Sequence, residues 1–406
     1  MSLKRYHEFD GLRGLLALWV ALAHLVCWCG YGHLANGGHV SKLWLYFTEA
    51  DPAAQAFIIL SGFAIATLLQ REQVGYGRYM LRRAFRIFPV YLVALGLSIW
   101  LAPLTGQLIN SLPWSNDFYM GWQRTAQVNQ DANWSGNVWA HVFMVHGVLP
   151  KSVVAGVSAT FLMPAWSIGL EEQFYLVAPL LLWLLRRSWG LMSLFVVALA
   201  GQVFQAWFSN PINCSLPYWL PFFLVGIGSS YVATWLEKNE LAQVKGGGAI
   251  LFAGLIAALF LAREPLPFLI WAGACAAALG LWKGFAPRIG AVIGWVLGNR
   301  ASRWVGEMSY SLYLIHWPLT ILLLSLLRQY RPGIPQREVL IWMLATGLPV
   351  ILVLSWALHQ ALEKPFMRLG RYLARVPGSA PASAVPVAMA APESTPEPMP
   401  VLPQIF

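Results

Sequence analysis

The sequence predicts an all-α fold, that of a polytopic integral membrane protein with about ten transmembrane helices and both termini in the cytoplasm. Of its 406 residues, 58% are hydrophobic and only 11% are charged, and 21 are tryptophan. A soluble domain carries roughly a quarter charged residues, so this composition excludes an ordinary soluble protein. The apolar runs and the placement of the basic residues define the predicted topology.

Ten apolar runs are long enough to cross a bilayer, because a hydrocarbon core of about 30 Å needs about 20 helical residues. These runs lie at about 11–30, 52–70, 84–103, 166–185, 190–208, 216–235, 247–262, 266–282, 308–327 and 338–360. Two weaker stretches, 138–149 and 289–298, predict short re-entrant or interfacial helices.

Lysine and arginine are concentrated on one side of the predicted spans. With the N-terminus inside, 20 of the 27 basic residues fall in inner segments and seven in outer ones. Inner loops of membrane proteins carry such an excess of positive charge, so both termini are predicted to be cytoplasmic; the loop at 328–337 is the exception. Topology thus explains the net charge of +10, and the basic residues do not indicate a surface for nucleic acid.

The composition changes near residue 376. Residues 1–376 are predicted to form the transmembrane domain, whereas residues 377–406 are rich in Pro and Ala without an apolar period, which is typical of a disordered tail. The first apolar run is too long for the core of a cleavable signal peptide. The four cysteines form no C-x-x-C pair, so no metal site is predicted.

The first predicted span carries two ionisable residues, Arg13 and His24, shortly after Asp10. Arg13 and His24 are close to three helical turns apart, so both lie on one helix face, about 16 Å apart along the axis. Burying either group in hydrocarbon costs on the order of several kcal/mol unless it meets a partner or a cavity, which favours a functional role. The alternative for Arg13 is that its side chain reaches the cytoplasmic surface.

Charged residues also occur in the third and fourth predicted spans. Arg83 and Arg86 share a helix face, and their guanidinium forks suit phosphate groups; the alternative is a topology signal alone. Glu171 and Glu172 lie at the outer end of the fourth span, where a carboxylate can simply favour the helix dipole. Glu171, however, is already one turn inside an apolar helix, which favours function.

The ninth predicted span contains Ser309, Tyr310 and His316, the last beside Pro318. A histidine bonded to a neighbouring helix and a ligand-binding histidine both fit this position.

A long predicted outer segment at 104–165 is rich in tryptophan and tyrosine. This pattern predicts either an aromatic belt at the membrane interface or a surface that stacks on sugar rings. The residues concerned are Trp114, Tyr119, Trp122, Trp134 and Trp139.

Six short motifs occur in order between residues 6 and 368. They are Asp-Gly-Leu-Arg at 10–13 followed by His24, the Ser-Gly-Phe run at 61–63, Arg-x-x-Arg at 83–86, Trp-Ser-x-x-x-Glu-Glu-Gln-Phe-Tyr at 166–175, Ser-Tyr-x-x-Tyr-Leu-x-His at 309–316 and Glu-Lys-Pro at 363–365. Together they resemble acyltransferase family 3 of membrane O-acyltransferases. The chain departs from the family at Gln55, where the family usually has an aspartate.

The resemblance implies transfer of an acyl group, usually acetyl from acetyl-CoA, to a hydroxyl of a glycan or related acceptor, with no permanently bound cofactor. It implies that His24 and Glu171 are catalytic and that Arg83, Arg86 and Arg13 bind the acyl-CoA donor. It gives supporting roles to Asp10, Glu172, Ser309, Tyr310 and His316. The expected partners are acyl-CoA, a carbohydrate or lipid-linked glycan and membrane lipids, in a bacterial plasma (inner) membrane.

The residue chemistry is compatible with that activity. A histidine can deprotonate an acceptor hydroxyl or carry the acyl group transiently, and a carboxylate can orient the histidine's other nitrogen. At 1.5 Å per residue, His24 lies about 20 Å and Glu171 about 22 Å from the inner boundary, so the two are expected to meet if their helices pack together.

Two other functions fit the sequence. A secondary transporter for an anionic or sugar-like solute also uses intramembrane Arg, His and Glu, although transporters usually show paired halves with broken helices. A membrane scaffold without chemistry is the third possibility.

Overall fold

The structure, a computed structural model, describes residues 6–32, 44, 47–71, 75–203, 214–239, 265–284 and 286–375. Every regular element in these ranges is helical, which confirms the predicted all-α class. The principal helices are α1 (His7–Trp28), α2 (Asp51–Arg71), α3 (Tyr76–Ser111), α4 (Phe118–Ala132), α5 (Trp134–Val142), α6 (Ala165–Leu185), α7 (Gly190–Val203), α8 (Leu216–Asn239), α9 (Leu266–Ala278), α10 (Pro287–Gly298), α11 (Arg300–Glu307), α12 (Ser309–Tyr330) and α13 (Gln336–Leu373).

Seven helices in the described part of the chain are long and apolar enough to cross a membrane: α1, α2, α3, α6, most of α8, α12 and α13. Shorter apolar helices are α7, α9 and α10. The protein is thus an integral membrane protein with many spans, as predicted. The predicted run at 247–262 and the predicted tail at 377–406 lie outside the described residues. The cytoplasmic location of the termini stays a prediction.

Helix α1 is the central element of the bundle, since it packs against α2, α9, α10, α11 and α12. Glycines permit its closest approach. A Cβ atom on Gly306 of α11 would lie 2.0 Å from the carbonyl oxygen of Asp10, and a Cβ on Gly14 would lie 2.5 Å from the backbone nitrogen of Gly306. Any side chain here would separate α1 from α11 and displace the face that carries Arg13.

A compact cap formed by α4, α5 and the loop up to α6 covers one end of the bundle. Asp117 accepts a hydrogen bond from the Met120 amide at 2.7 Å and so begins α4, and Asn133 caps α5 in the same way through the Gly136 amide. Side chains of this type satisfy amides at a helix start that lack a partner within the helix. The cap packs on α3 and α6, and Tyr91 of α3 donates its hydroxyl to the His141 carbonyl at 2.8 Å.

The aromatic residues of the cap have different environments. Trp114 is buried and donates from its indole nitrogen to the carbonyl oxygen of Trp28 at 3.0 Å. It belongs to the core, so neither role predicted for the aromatic residues of this segment fits Trp114. Trp134 and Trp139 are exposed, and both predicted roles stay open for them.

Two buried histidines stack within the cap. The rings of His141 and His146 lie 4.4 Å apart, centre to centre, and nearly parallel. His141 Nδ1 donates to the carbonyl oxygen of Asn137 at 2.9 Å, and His146 Nε2 donates to that of Ala165 at 3.1 Å. Burial lowers the pKa of His141 well below its usual value and that of His146 to about 4.

The close contact between α1 and α11 predicts that Gly306→Ala destabilises the protein. The added methyl overlaps the Asp10 carbonyl, which costs about 1–3 kcal/mol through overpacking, so the thermal midpoint of the purified protein should fall. Gly96→Ala is the control, because a Cβ at Gly96 meets nothing within 4 Å. Equal midpoints for the two variants would contradict this packing.

The stacked histidines predict that the cap loses stability in acid. In the unfolded chain both rings titrate near pH 6.5, whereas in the folded cap they stay neutral down to about pH 4 for His146. The unfolded state therefore binds more protons below pH 6.5, and stability falls as the pH drops from 6.5 towards 4. His146→Gln should weaken that fall in thermal midpoint, whereas His7→Gln, at an exposed position, should leave it unchanged. The same acid sensitivity in both variants would refute a role for the pair.

Candidate active site

Six helices, α1, α2, α3, α6, α8 and α12, surround a cavity of about 100 Å³, which we call the arginine cavity. It is lined by Arg13, Phe57, Ile58, Leu60, Ser61, Ala64, Ile65, Arg83, Arg86, Ile87, Ser167, Ile168, Glu171, Tyr175, Phe223, Ser309, Tyr310 and Tyr313. One water molecule occupies about 10–15 Å³ of such a volume, so the cavity has room for several water-sized groups. The structure thus brings together residues from five of the six sequence motifs.

Three arginines converge on this cavity. Arg13 comes from α1, and Arg83 and Arg86 come from successive turns of α3. The Arg83 guanidinium lies 5.6 Å from the ring centre of Tyr175, within the range of a cation–π contact. Glu171 is the one carboxylate among the described lining residues. The cavity therefore has a surplus of positive charge and suits an anionic ligand.

Hydrogen bonds from two directions hold the Glu171 carboxylate. Ser61 on α2 donates its hydroxyl to Oε1 at 2.7 Å, and Tyr175, one turn along α6, donates its hydroxyl to the same oxygen. Glu171 also attracts Arg13 and Arg86 electrostatically. The carboxylate is therefore fixed at the centre of the cationic cluster, where it keeps the like-charged arginines close together.

His24 pairs with His316 rather than with Glu171. Its Nδ1 lies 2.9 Å from His316 Nε2, and the two rings are nearly parallel. Trp317 packs edge-on against His24 with ring centres 5.3 Å apart, and both histidines are buried. The expected contact between Glu171 and His24 depended on α1 packing against α6, which is not among the main packing partners of α1, and Glu171 bonds Ser61 and Tyr175 instead. A depth along the membrane normal gives no information on which helices pack together.

The hydrogen bonds determine where the protons lie on the two rings. The Leu312 carbonyl only accepts, so His316 Nδ1 must donate to it across the observed 3.0 Å. In neutral His316, Nε2 then lacks a proton and accepts from His24 Nδ1. The lone pair of neutral His24 is consequently on Nε2, for which the described part of the chain provides no hydrogen-bond partner. This nitrogen is available as a base or a nucleophile.

Tyr313 connects the histidine pair to the arginine cavity. Its ring centre lies 6.3 Å from that of His316, one turn along α12. Its hydroxyl shares a hydrogen bond of 2.7 Å with Ser167 of α6, and Tyr313 and Ser167 both line the cavity. The histidine pair thus lies just beyond one wall of the cavity.

The supporting residues predicted from the sequence divide into two groups. Ser309 and Tyr310 line the arginine cavity, and Tyr310 donates to the Ile87 carbonyl at 2.8 Å. Asp10 and Glu172 do not line it. Asp10 lines a separate charged pocket with residues of α11, and Glu172 faces Tyr91 of α3.

A second buried cluster lies behind Arg86. Glu363 accepts hydrogen bonds from the Ser311 hydroxyl at 2.7 Å and from His359 Nδ1 at 2.8 Å, and it attracts Arg86 electrostatically. His359–Glu363 is a π-helical turn of α13, a local widening that frequently occurs at functional sites. This turn supplies a second counter-charge to the arginines.

Three polar residues of the candidate site lie within the sequence motifs but were given no individual role: Ser61, Tyr175 and Tyr313. A helical spacing signal existed for Tyr175, since residues i and i+4 are neighbours on a helix surface and Tyr175 follows Glu171 by four. Ser167 precedes Glu171 by the same spacing. Ser61 gave no such signal, because its partner Glu171 is 110 positions away.

The fold and the buried site define an integral membrane protein with an internal cationic cavity. The family model described as an acyltransferase domain (acyltransferase 3) matches residues 6–360. The chain therefore belongs to this acyltransferase family, as its motifs predicted.

Two curated bacterial proteins are similar along most of the chain. One, from Bacillus subtilis (strain 168), is named as a candidate peptidoglycan O-acetyltransferase, YrhL, and is 23% identical over 89% of this chain and 55% of its own length. The chain thus spans about half the length of that relative. The other, nodulation protein 10 of Rhizobium leguminosarum bv. viciae, is 25% identical over 89% of this chain and 94% of its own length. No solved structure matches the chain significantly. These bacterial relatives and the long apolar helices place the protein in the bacterial plasma membrane, as predicted.

Proposed function

We propose that the protein is a membrane O-acyltransferase that moves an acyl group, in the simplest case acetyl, from cytoplasmic acyl-CoA to a hydroxyl of a glycan. One observation carries the proposal: the cationic cavity lies next to His24, a histidine with a free basic nitrogen whose position is about 16 Å from that of Arg13 along the axis of α1. The family assignment and the name of the Bacillus relative support the reaction class. They also favour the enzyme over the transporter.

The donor is proposed to bind with its phosphates against the arginines. Guanidinium forks bind phosphate oxygens through two parallel hydrogen bonds, and the surplus charge of the cavity requires an anionic partner. The pantetheine arm of acyl-CoA is long and narrow, so it suits the distance from Arg13 to His24. The thioester then approaches His24 past Tyr313.

His24 is proposed to act as a general base. Its Nε2 takes the proton from the acceptor hydroxyl while the hydroxyl oxygen attacks the thioester carbonyl carbon. The carbon–sulfur bond breaks, and the imidazolium returns the proton to the departing CoA sulfur, so the products are an ester and free CoA. His316 is a positioning residue that fixes the tautomer of His24.

Glu171 is proposed to act on the donor side of the site. Because it lies among the arginines and makes no hydrogen bond to His24, it positions Arg13 and Arg86 rather than the base. Its catalytic role is therefore indirect, through the geometry of the bound phosphates.

The donor site predicts that Arg83→Ala and Arg86→Ala raise the KM for acetyl-CoA roughly tenfold each, since each loses a charge-assisted hydrogen bond of about 1.5–3 kcal/mol. The turnover number should change less, because phosphate contacts act on ground and transition states alike. Initial rates of CoA release from protein in lipid nanodiscs measure both constants. Arg78→Ala, at an exposed position on the same helix, is the matched control. An unchanged KM in both variants would refute the donor site.

The histidine pair predicts that His24→Ala lowers kcat by about 10²–10⁴-fold and leaves acetyl-CoA binding intact. His316→Phe should lower kcat, whereas His316→Gln should restore part of the rate, because a glutamine oxygen can accept from His24 Nδ1. Transfer of labelled acetyl to solubilised peptidoglycan strands and titration of acetyl-CoA binding separate these effects. Near-normal transfer by His24→Ala would overturn the proposed function. Equal rates for the two His316 variants would remove the positioning role.

A further inference from the structure

A second pocket lies between α3, α4 and the cap loop, beyond the histidine pair as seen from the arginine cavity. We call it the amide pocket, because α4 lines it with Gln123, Gln127 and Gln130. Along α3, Arg86 belongs to the arginine cavity, whereas Ser98, twelve residues further on, belongs to the amide pocket. Twelve residues correspond to about 18 Å. The two cavities thus lie at different depths of the same helices.

The amide pocket borders the reaction site directly. Trp317 lines the pocket, and the same ring packs against His24 at 5.3 Å. The Trp317 indole donates to the carbonyl oxygen of Phe161, which also lines the pocket. Only one aromatic ring therefore separates this pocket from the proposed base.

Buried polar groups in the pocket lack partners. The Ser98 hydroxyl has none among the described residues, although Ser98 is only 3% exposed. Gln130, 4% exposed, accepts from the Phe161 amide through Oε1 at 2.9 Å, and its Nε2 has no partner in the same residues. Buried polar groups are nearly always hydrogen-bonded, so both atoms point to a ligand.

The lining determines the chemistry of that ligand. No ionisable side chain lines the pocket in the described part of the chain, so burial of a charged group would be uncompensated. Ser98 can donate and accept, and Gln130 Nε2 donates; a sugar hydroxyl, which also donates and accepts, satisfies both. The volume of about 20 Å³ fits one water-sized group. The pocket suits a single hydroxyl of a neutral sugar.

We propose that the amide pocket holds a hydroxyl of the sugar that neighbours the reacting sugar along the acceptor glycan, and so selects which hydroxyl reaches His24. This inference rests on the proposed function. The sugar enters from the side opposite to the donor, and Trp317 separates the held hydroxyl from the base.

The test compares Ser98→Ala with Ser111→Ala, a matched control at an exposed position of the same helix. Solubilised peptidoglycan strands are the acceptor probe and labelled acetyl-CoA is the donor. Ser98→Ala should raise the KM for the strands at least threefold and leave the KM for acetyl-CoA unchanged. Because the variant removes an unpartnered buried hydroxyl, its thermal midpoint should stay level or rise, which separates binding from folding.

Gln130→Glu is the second variant, since it keeps an oxygen for the Phe161 amide and removes the unpartnered donor. It should raise the KM for the strands more than Ser98→Ala does, because it also adds a charge. Unchanged acceptor KM in both variants, with transfer by the unaltered protein, would overturn this inference alone. No acetyl transfer by the unaltered protein, either to these strands or to extracted cell-surface polysaccharide, would overturn the proposed function and this inference with it.

Discussion

The structure depends on one constraint: hydrocarbon cannot solvate charges or hydrogen-bonding groups, so such groups inside the bundle are stabilised by partners from another helix or another turn. Glu171 meets this need through Ser61 of α2, and His24 through His316 of α12. Glu363 meets it through Ser311. The polar side chains of the site are therefore also connections between helices, and the chemistry and the packing are stabilised by the same contacts.

The sequence predicted the fold class and much of the site, because both leave local signals. Apolar runs mark the spans wherever hydrocarbon surrounds them, and helical periodicity places residues such as Arg83 and Arg86 on one face. The structure places both arginines in one cavity with Arg13 and Glu171. The limits of the helices were less predictable. Helix α3 has 36 residues and continues through Pro89 and Pro103, well past the predicted run of 84–103, because polar residues continue a helix once it leaves the membrane and packs under a cap.

Partnerships between distant residues could not be predicted from one sequence. His24 and His316 are separated by 292 positions, and their contact depends on how α1 and α12 are rotated against each other. The depth comparison placed Glu171 near His24 because it used rise along the axis alone. The amide pocket left no signal either: its glutamines lie in a segment outside the predicted spans, where polar residues are ordinary.

The packed rings between the two cavities have a consequence for the energetics of the cell. His24 packs against both His316 and Trp317, and all three side chains are buried, so they form a packed septum where a transporter would have an open pathway. A continuous file of water through the bilayer conducts protons and dissipates the electrochemical gradient that drives ATP synthesis. A septum of aromatic rings is compatible with acyl transfer from one cavity to the other without a continuous column of water. If acyl transfer proceeds as proposed, acyl groups cross an energised membrane while the proton-motive force is maintained.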